Sequence, residues 1–240
     1  MTLSEPPPGW GSDNLTKYLD DARHNAYASF HNLRDEYRRL SDIDTAFRKA
    51  IDSLLNTADW FAAFFLLRSH SSFLAGLSLS MSGQVPEGYA CLRLALENSL
   101  YGFYLSKNPS SQITWLNRHE SAEAKKKVRD EFKIRALLAS LKTSNPAEGT
   151  VVEALYDRTI DYGAHPNERA LMQNLRMEKS ADGVQFQVAY LTDDTMAFRL
   201  LVKTVAQVGV CSLEIFRLIY RERFDITGLT DMLQKLKHGL

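Results

Sequence analysis

Arg158 and His165, with six residues between them, are the pair in this 240-residue chain whose types and spacing could do chemistry. Seven positions along an α-helix return a side chain to nearly the same face, two turns on. The surrounding run, VVEALYDRTIDYGAHPNERALMQNL over residues 151–175, adds Tyr156, Asp157, Asp161, Tyr162 and Asn167. His165 precedes Pro166, which drives it out of the helical region, so it should sit in a turn after the helix carrying Arg158. Pro166 is then placed to open a further helix toward Leu175, whose N-terminal amides would disfavour an imidazolium. A neutral imidazole could act as general base on a ribose hydroxyl, and a guanidinium could stabilise charge growing on an attacked phosphate.

Three other constellations carry titratable groups. Arg93 and Glu97 form an i,i+4 pair on an otherwise apolar helix, RLALENSLYGFYL. A carboxylate withdrawn from water needs a cation, so Glu97 is expected to pair with Arg93 or Arg158. Asp20, His24, His31 and Asp35 share one face of the first helix. Their ends lie about 22 Å apart at the helical rise, and a solvated face is the reading. The basic run Lys125, Lys126, Lys127, Arg129, Lys133 and Arg135 is interleaved with Glu123, Asp130 and Glu131. It too reads as a solvated face, and as the place for phosphate contacts if RNA binds. No Gly-rich phosphate loop, Cys-x-x-Cys, His-Glu-x-x-His or Gly-x-Ser-x-Gly pattern occurs, so no cofactor and no metal are expected.

On Arg158-x6-His165 at a helix end, the chain resembles the HEPN superfamily of all-helical nucleotide-binding proteins. The resemblance covers residues 85–175 and includes Arg93 and Glu97 as the polar pair of the preceding core helix. It implies a metal-independent endoribonuclease with Arg158 and His165 catalytic, and Arg93, Glu97, Tyr162 and Asn167 in binding roles. It also implies an RNA or nucleotide partner, and, with the wholly apolar run over 58–82 and a hairpin edge at 184–190 that must be managed, a homodimer is expected. One departure is Thr159, where active members usually place Asn, Asp or His after the arginine. The rival reading is a non-catalytic helical binding or dimerisation module in which Arg158 and His165 hold the turn.

These groups must be positioned by helices. Apolar residues spaced three and four apart predict one over 14–40, a second capped at Ser41 and Asp42, and an almost wholly apolar third over 58–82. Gly83 breaks the chain, and Pro86 opens a fourth helix to about Ser106. A short helix around Trp115, one over 121–141, the Arg158 helix, a long one over 192–224 and a short one over 227–236 complete the set. The strand signal is the alternation of Val184, Phe186, Val188 and Tyr190 after Asp182-Gly183, with residues 175–179 as partner strand. A lone hairpin is marginal in water and must pack on helices or pair with another sheet edge, and this apolar face is expected to pack on helices. The fold class is all-α: a multi-helix bundle with one β-hairpin before the long C-terminal helix, residues 13–240 as one domain behind a loose tail, 1–12.

Composition narrows function further. Lys plus Arg equals Asp plus Glu, 29 each, so no global field recruits a polyanion. Cys91 and Cys211 sit in apolar helical patterns and read as small buried hydrophobes, which suits a cytoplasmic location. The apolar run WFAAFFLL over 60–67 is too short to span a bilayer, and no membrane partner is expected.

Overall fold

The computed structural model describes residues 6–57, 59–166, 168–172, 175–180, 183–192 and 195–240. Among these the chain is an all-α bundle of twelve helices with one antiparallel hairpin before the long C-terminal helix. The helices are α1 (Asn14–Asn32), α2 (Arg34–Asp52), α3 (Trp60–Met81), α4 (Val85–Lys107), α5 (Pro109–Leu116) and α6 (Ala122–Glu131). They continue as α7 (Ile134–Ser144), α8 (Pro146–Thr159), α9 (Glu168–Met172), α10 (Met196–Ile219), α11 (Arg221–Ile226) and α12 (Leu229–Leu236).

The centre is α3, α4 and α10, each packed on the other two. Small residues let them close in. Ser69 of α3 meets Ser99 of α4 at 2.9 Å and donates to the Ala95 carbonyl, which leaves no buried hydroxyl unpaired at that crossing. Gly209 of α10 leaves just enough room for Phe73 and Ile43, since a Cβ there would come within 2.7 Å of both. By length and composition α10 could cross a membrane, yet 67% of its most apolar window is buried inside the bundle. It carries Thr204, Ser212 and Glu214 as buried polar residues, Thr204 bonded to the Leu200 carbonyl and Glu214 paired with Arg217 and Lys237.

Around this centre, α2 lays Leu40, Ile43, Ala46, Phe47 and Ala50 inward, an amphipathic stripe at helical spacing. His70 is buried in mid-helix α3, stacked on Phe47 with ring centroids 4.9 Å apart, and its Nε2 meets Asp44 Oδ1 at 2.7 Å. It therefore ties α3 to α2 and does not mark a helix end. The turn after α3 uses Gly83 at φ +81, where a Cβ would strike the Thr192 carbonyl at 2.5 Å. Thr192 in turn donates its N–H to the Gly83 carbonyl at 2.8 Å.

Four boundaries differ from the periodicity. The helix expected over 14–40 is broken at Leu33, whose φ of −115° and ψ of 51° are not helical. Burial of Leu33 drives the kink. With it, α1 crosses the α3–α4 turn through Ser29 Oγ to the Met81 carbonyl, while α2 lies on α10. Ser41 and Asp42 consequently lie inside α2 rather than capping a helix. The 121–141 helix breaks at Phe132, which turns inward onto Tyr101 and Tyr104. The 192–224 helix breaks at Tyr220, whose hydroxyl donates to the Asp59 carbonyl at 2.7 Å.

The hairpin pairs β1 (Leu175–Ser180) with β2 (Gly183–Val188), Met177 opposite Phe186 and Leu175 opposite Val188. Every residue of β2 is exposed, so the expectation that its apolar face packs on helices is corrected. The chain returns to the bundle only afterwards, where Tyr190 meets Tyr18 edge-on and Thr192 bonds Gly83. Asp182, expected in the turn, lies outside the described residues.

Candidate functional site

Two polar clusters flank α8, and they keep Arg93 and Arg158 apart. On the α4 side, Arg93 Nε donates to Glu97 Oε1 at 2.8 Å, and the Tyr156 hydroxyl donates to the same oxygen at 2.9 Å. The Arg93 guanidinium also lies over the Tyr156 ring, 5.3 Å from its centroid. A carboxylate bonded by both a guanidinium and a phenol in a half-buried setting is well compensated. Burial, and then the charge of Glu97, push the Tyr156 phenol up to about 12. The sequence placed Glu97 beside Arg93 or Arg158, and the structure selects Arg93.

On the α10 side, Arg158 Nη1 donates to Gln207 Oε1 at 2.6 Å and to Thr204 Oγ1 at 3.3 Å. This guanidinium bridges α8 to α10. Behind it lies Tyr89 of α4, fully buried, its phenol pushed up to about 12 by burial while Thr204 and the Arg158 charge pull the other way. Its hydroxyl has no hydrogen bond of good geometry, although Thr204 stands beside it. Tyr89 stacks on Tyr162, ring centroids 5.5 Å apart. Thr159 turns inward and donates to the Tyr156 carbonyl at 2.7 Å, so it offers nothing to the surface.

After Thr159 the helix widens into a π turn over Ile160–Ala164, and His165 follows with extended backbone at φ −137° and ψ 144°, as expected for a residue before proline. The widening has a packing cause. Gly163 sits directly on the backbone that opens α4, and a Cβ there would lie 2.5 Å from Pro86 Cα. His165 is exposed, and among the described residues no hydrogen bond or ion pair joins it to Arg158. Tyr162 is capped from outside by Arg169, whose guanidinium lies 5.8 Å from the ring centroid and 3.5 Å from Asp161. Asn167 lies outside the described residues.

A concavity beside Tyr156 opens between α7 and α8, with a volume of about 500 Å³, and another of about 240 Å³ is bordered by Gln207. Ile134 and Leu138 line the larger with apolar surface, Tyr156 and Asp157 form the α8 wall, and Arg135 and Lys142 stand on α7. Lys142 is bound to Glu153 at 2.6 Å, which closes α7 on α8 where Gly149 permits close approach. Lys125, Lys126, Lys127, Arg129 and Lys133 on α6 and the loop to α7 are all exposed, as a solvated face requires. A further cavity, about 310 Å³ between α2 and α10, is lined by charges of both signs, Asp35 and Glu36 with Arg39 and Lys203.

Asp20 binds Arg23 at 2.7 Å, and His24 and His31 are exposed. Among the described residues no three His, Cys, Asp or Glu side chains converge as metal ligands. Cys91 and Cys211 are free, and the buried Cys211 thiol donates to Glu148 Oε1 at 3.2 Å. Sequence reasoning did not find Tyr89, Thr204 and Gln207. The signal available was the pair Thr204 and Gln207, polar residues three apart on a helix whose first half is otherwise apolar toward the core. No family model, no curated protein and no solved structure matches the chain.

Proposed function

We propose that the chain is a non-catalytic helical binding module that takes a nucleotide or a short stretch of nucleic acid in the cleft between α7 and α8. The observation that carries this reading is the 500 Å³ cleft with the exposed Arg135 and the Glu153-paired Lys142 on one wall and Tyr156 with Asp157 on the other. Its volume falls in the range of small-molecule sites. Lys133, two positions before Arg135, and the exposed lysines of α6 supply further cations for a longer phosphate backbone. Arg93 and Glu97 act through Tyr156, holding its ring as a fixed wall. The HEPN-like resemblance supports the ligand class.

Arg158 favours the non-catalytic form. Its guanidinium is directed to Gln207 and Thr204, so joining His165 at a scissile phosphate would require breaking both bonds. The ribonuclease reading draws on one observation of its own, the exposure of His165 at the end of the π turn.

Two measurements test the proposal. Fluorescence anisotropy with a labelled oligoribonucleotide and with mononucleotides should show binding that weakens about tenfold in Arg135→Glu and falls with added salt. Binding insensitive to Arg135→Glu would remove the cleft as its seat. An RNA-cleavage assay in chelator, comparing the parent with His165→Ala, should show no His165-dependent cleavage. Cleavage lost on that substitution would replace this reading with the ribonuclease.

A further inference from the structure

The hairpin is the place, among the described residues, where an apolar surface and an unpaired backbone edge coincide. Among the described residues β1 and β2 form a two-stranded sheet with no third strand. Val184, Phe186 and Val188 line one face of β2, and the register sets Met177 and Leu175 beside the last two. Met177, Val184, Phe186 and Val188 are 57%, 49%, 64% and 53% exposed, while Gln185 and Gln187 occupy the opposite face. The free edge of β2 adds unpaired N–H and C=O groups, because alternate residues of an antiparallel strand direct theirs away from its partner. Such edges are ordinarily blunted by charge or proline. Residues 183–188, GVQFQV, contain neither, whereas β1, LRMEKS, contains three ionisable residues.

What the free edge would fit is written in β2 itself. Residues 184–188 read Val-Gln-Phe-Gln-Val, the same in both directions. We propose that this edge pairs antiparallel with β2 of a second copy of the chain, on a two-fold axis at Phe186. Phe186 then lies opposite the partner's Phe186, Val184 opposite the partner's Val188, and Gln185 opposite the partner's Gln187. Every cross-strand pair is matched in chemistry, apolar with apolar and amide with amide. An isologous contact requires that self-complementarity. The product is a four-stranded sheet in the order β1, β2, β2, β1. Three or more strands with a common apolar face have the stability that two lack. Because only the β1 edges remain outside, and these carry the ionisable residues, the assembly closes at two copies. This surface does not involve the α7–α8 cleft, so it stands or falls apart from the ligand proposed there.

The test is a charge exchange at the axis, read as mass by sedimentation or light scattering at tens of micromolar. The parent is expected to run at twice the chain mass. Phe186→Lys and Phe186→Glu, each alone, place like charges against each other and should run at the chain mass with an unchanged helical circular-dichroism signal. Mixed in equal amounts, they should return to twice the chain mass, a result that misfolded variants cannot give. A monomeric parent, a Phe186→Lys variant that remains dimeric, a mixture that stays monomeric, or a parent assembling beyond two copies would each overturn the proposal.

Discussion

Phe73 and Phe186 are the same side chain in opposite circumstances. Phe73 is fully buried on α3, its ring 5.3 Å from that of Phe47, against the space left by Gly209. Phe186 is 64% exposed on β2, with only cross-strand neighbours. Both belong to clear apolar patterns in the sequence, one at helical period and one at period two. The pattern states which face is apolar, and nothing in it states what covers that face. In the helical centre, partners come from elsewhere in the same chain. At the hairpin the described residues supply none, and the face stays open for another molecule.

The sharpest way to break this contrast is to truncate both rings. Phe73→Ala should cost about 3–5 kcal/mol, since its neighbours are themselves packed and only partly able to collapse. A loss under about 1 kcal/mol by denaturant titration would mean that the centre is looser than its burial implies.

Gly163 lies at the border of the two regions, where the π turn rests on the start of α4. Its φ of 169° is ordinary extended backbone, so the demand for glycine is one of space. Gly163→Val should cost about 1–3 kcal/mol by forcing the turn off Pro86. It should also move the Tyr162 ring off Tyr89, a change visible in near-ultraviolet circular dichroism. An unchanged spectrum and melting temperature would show that 160–164 yields freely.

Arg158→Met keeps the unbranched apolar stem and removes the bonds to Gln207 and Thr204. Because Gln207 is only partly buried and can turn to water, the loss should be about 1 kcal/mol. Gln207→Ala should cost little further in that background if the bridge is the interaction they share. The buried phenols add a pH dependence of defined sign. Tyr156 and Tyr89 titrate near 12 in the folded chain and near 10 when unfolded. Above about pH 10 the unfolded chain releases protons that the folded chain keeps, so stability falls as pH rises toward about 12. Tyr156→Phe should flatten that alkaline decline, and an identical slope would place the phenol in water.

How much of this was legible follows from where each partner lies in the chain. Arg93 and Glu97 are one helical turn apart, and their pairing could be read directly. The ends of α3 and α4 were marked by Gly83 and Pro86, residues that punctuate any helix. The kinks at Leu33 and Phe132 were not marked, because both are good helix residues whose burial outweighs local propensity. Arg158 is 49 residues from Gln207, a distance across which no period speaks. Its spacing to His165 was plain, but not that Arg158 would be bonded to α10 while His165 lies exposed beyond a π turn. For the hairpin, alternation located β1 and β2 correctly and the rule that lone hairpins need cover was sound. The step that failed was assigning the cover to this chain's own helices.

The smallest expected effect is therefore the most informative counterpart to Phe73. Phe186→Ala, measured in dilute solution where the chain is monomeric, should change unfolding free energy by less than about 0.5 kcal/mol, as an exposed substitution does. Its ring is 64% exposed, so truncation leaves no cavity in the bundle. If β2 pairs with a second copy, the parent gains stability with concentration, because association is linked to folding by mass action. The parent's melting temperature should then rise across a dilution series while that of Phe186→Ala stays nearly flat. A loss of several kcal/mol in the dilute limit would put Phe186 inside the monomer's core and erase the difference from Phe73. Parallel curves at all concentrations would leave the contrast in place but deprive the open face of its partner.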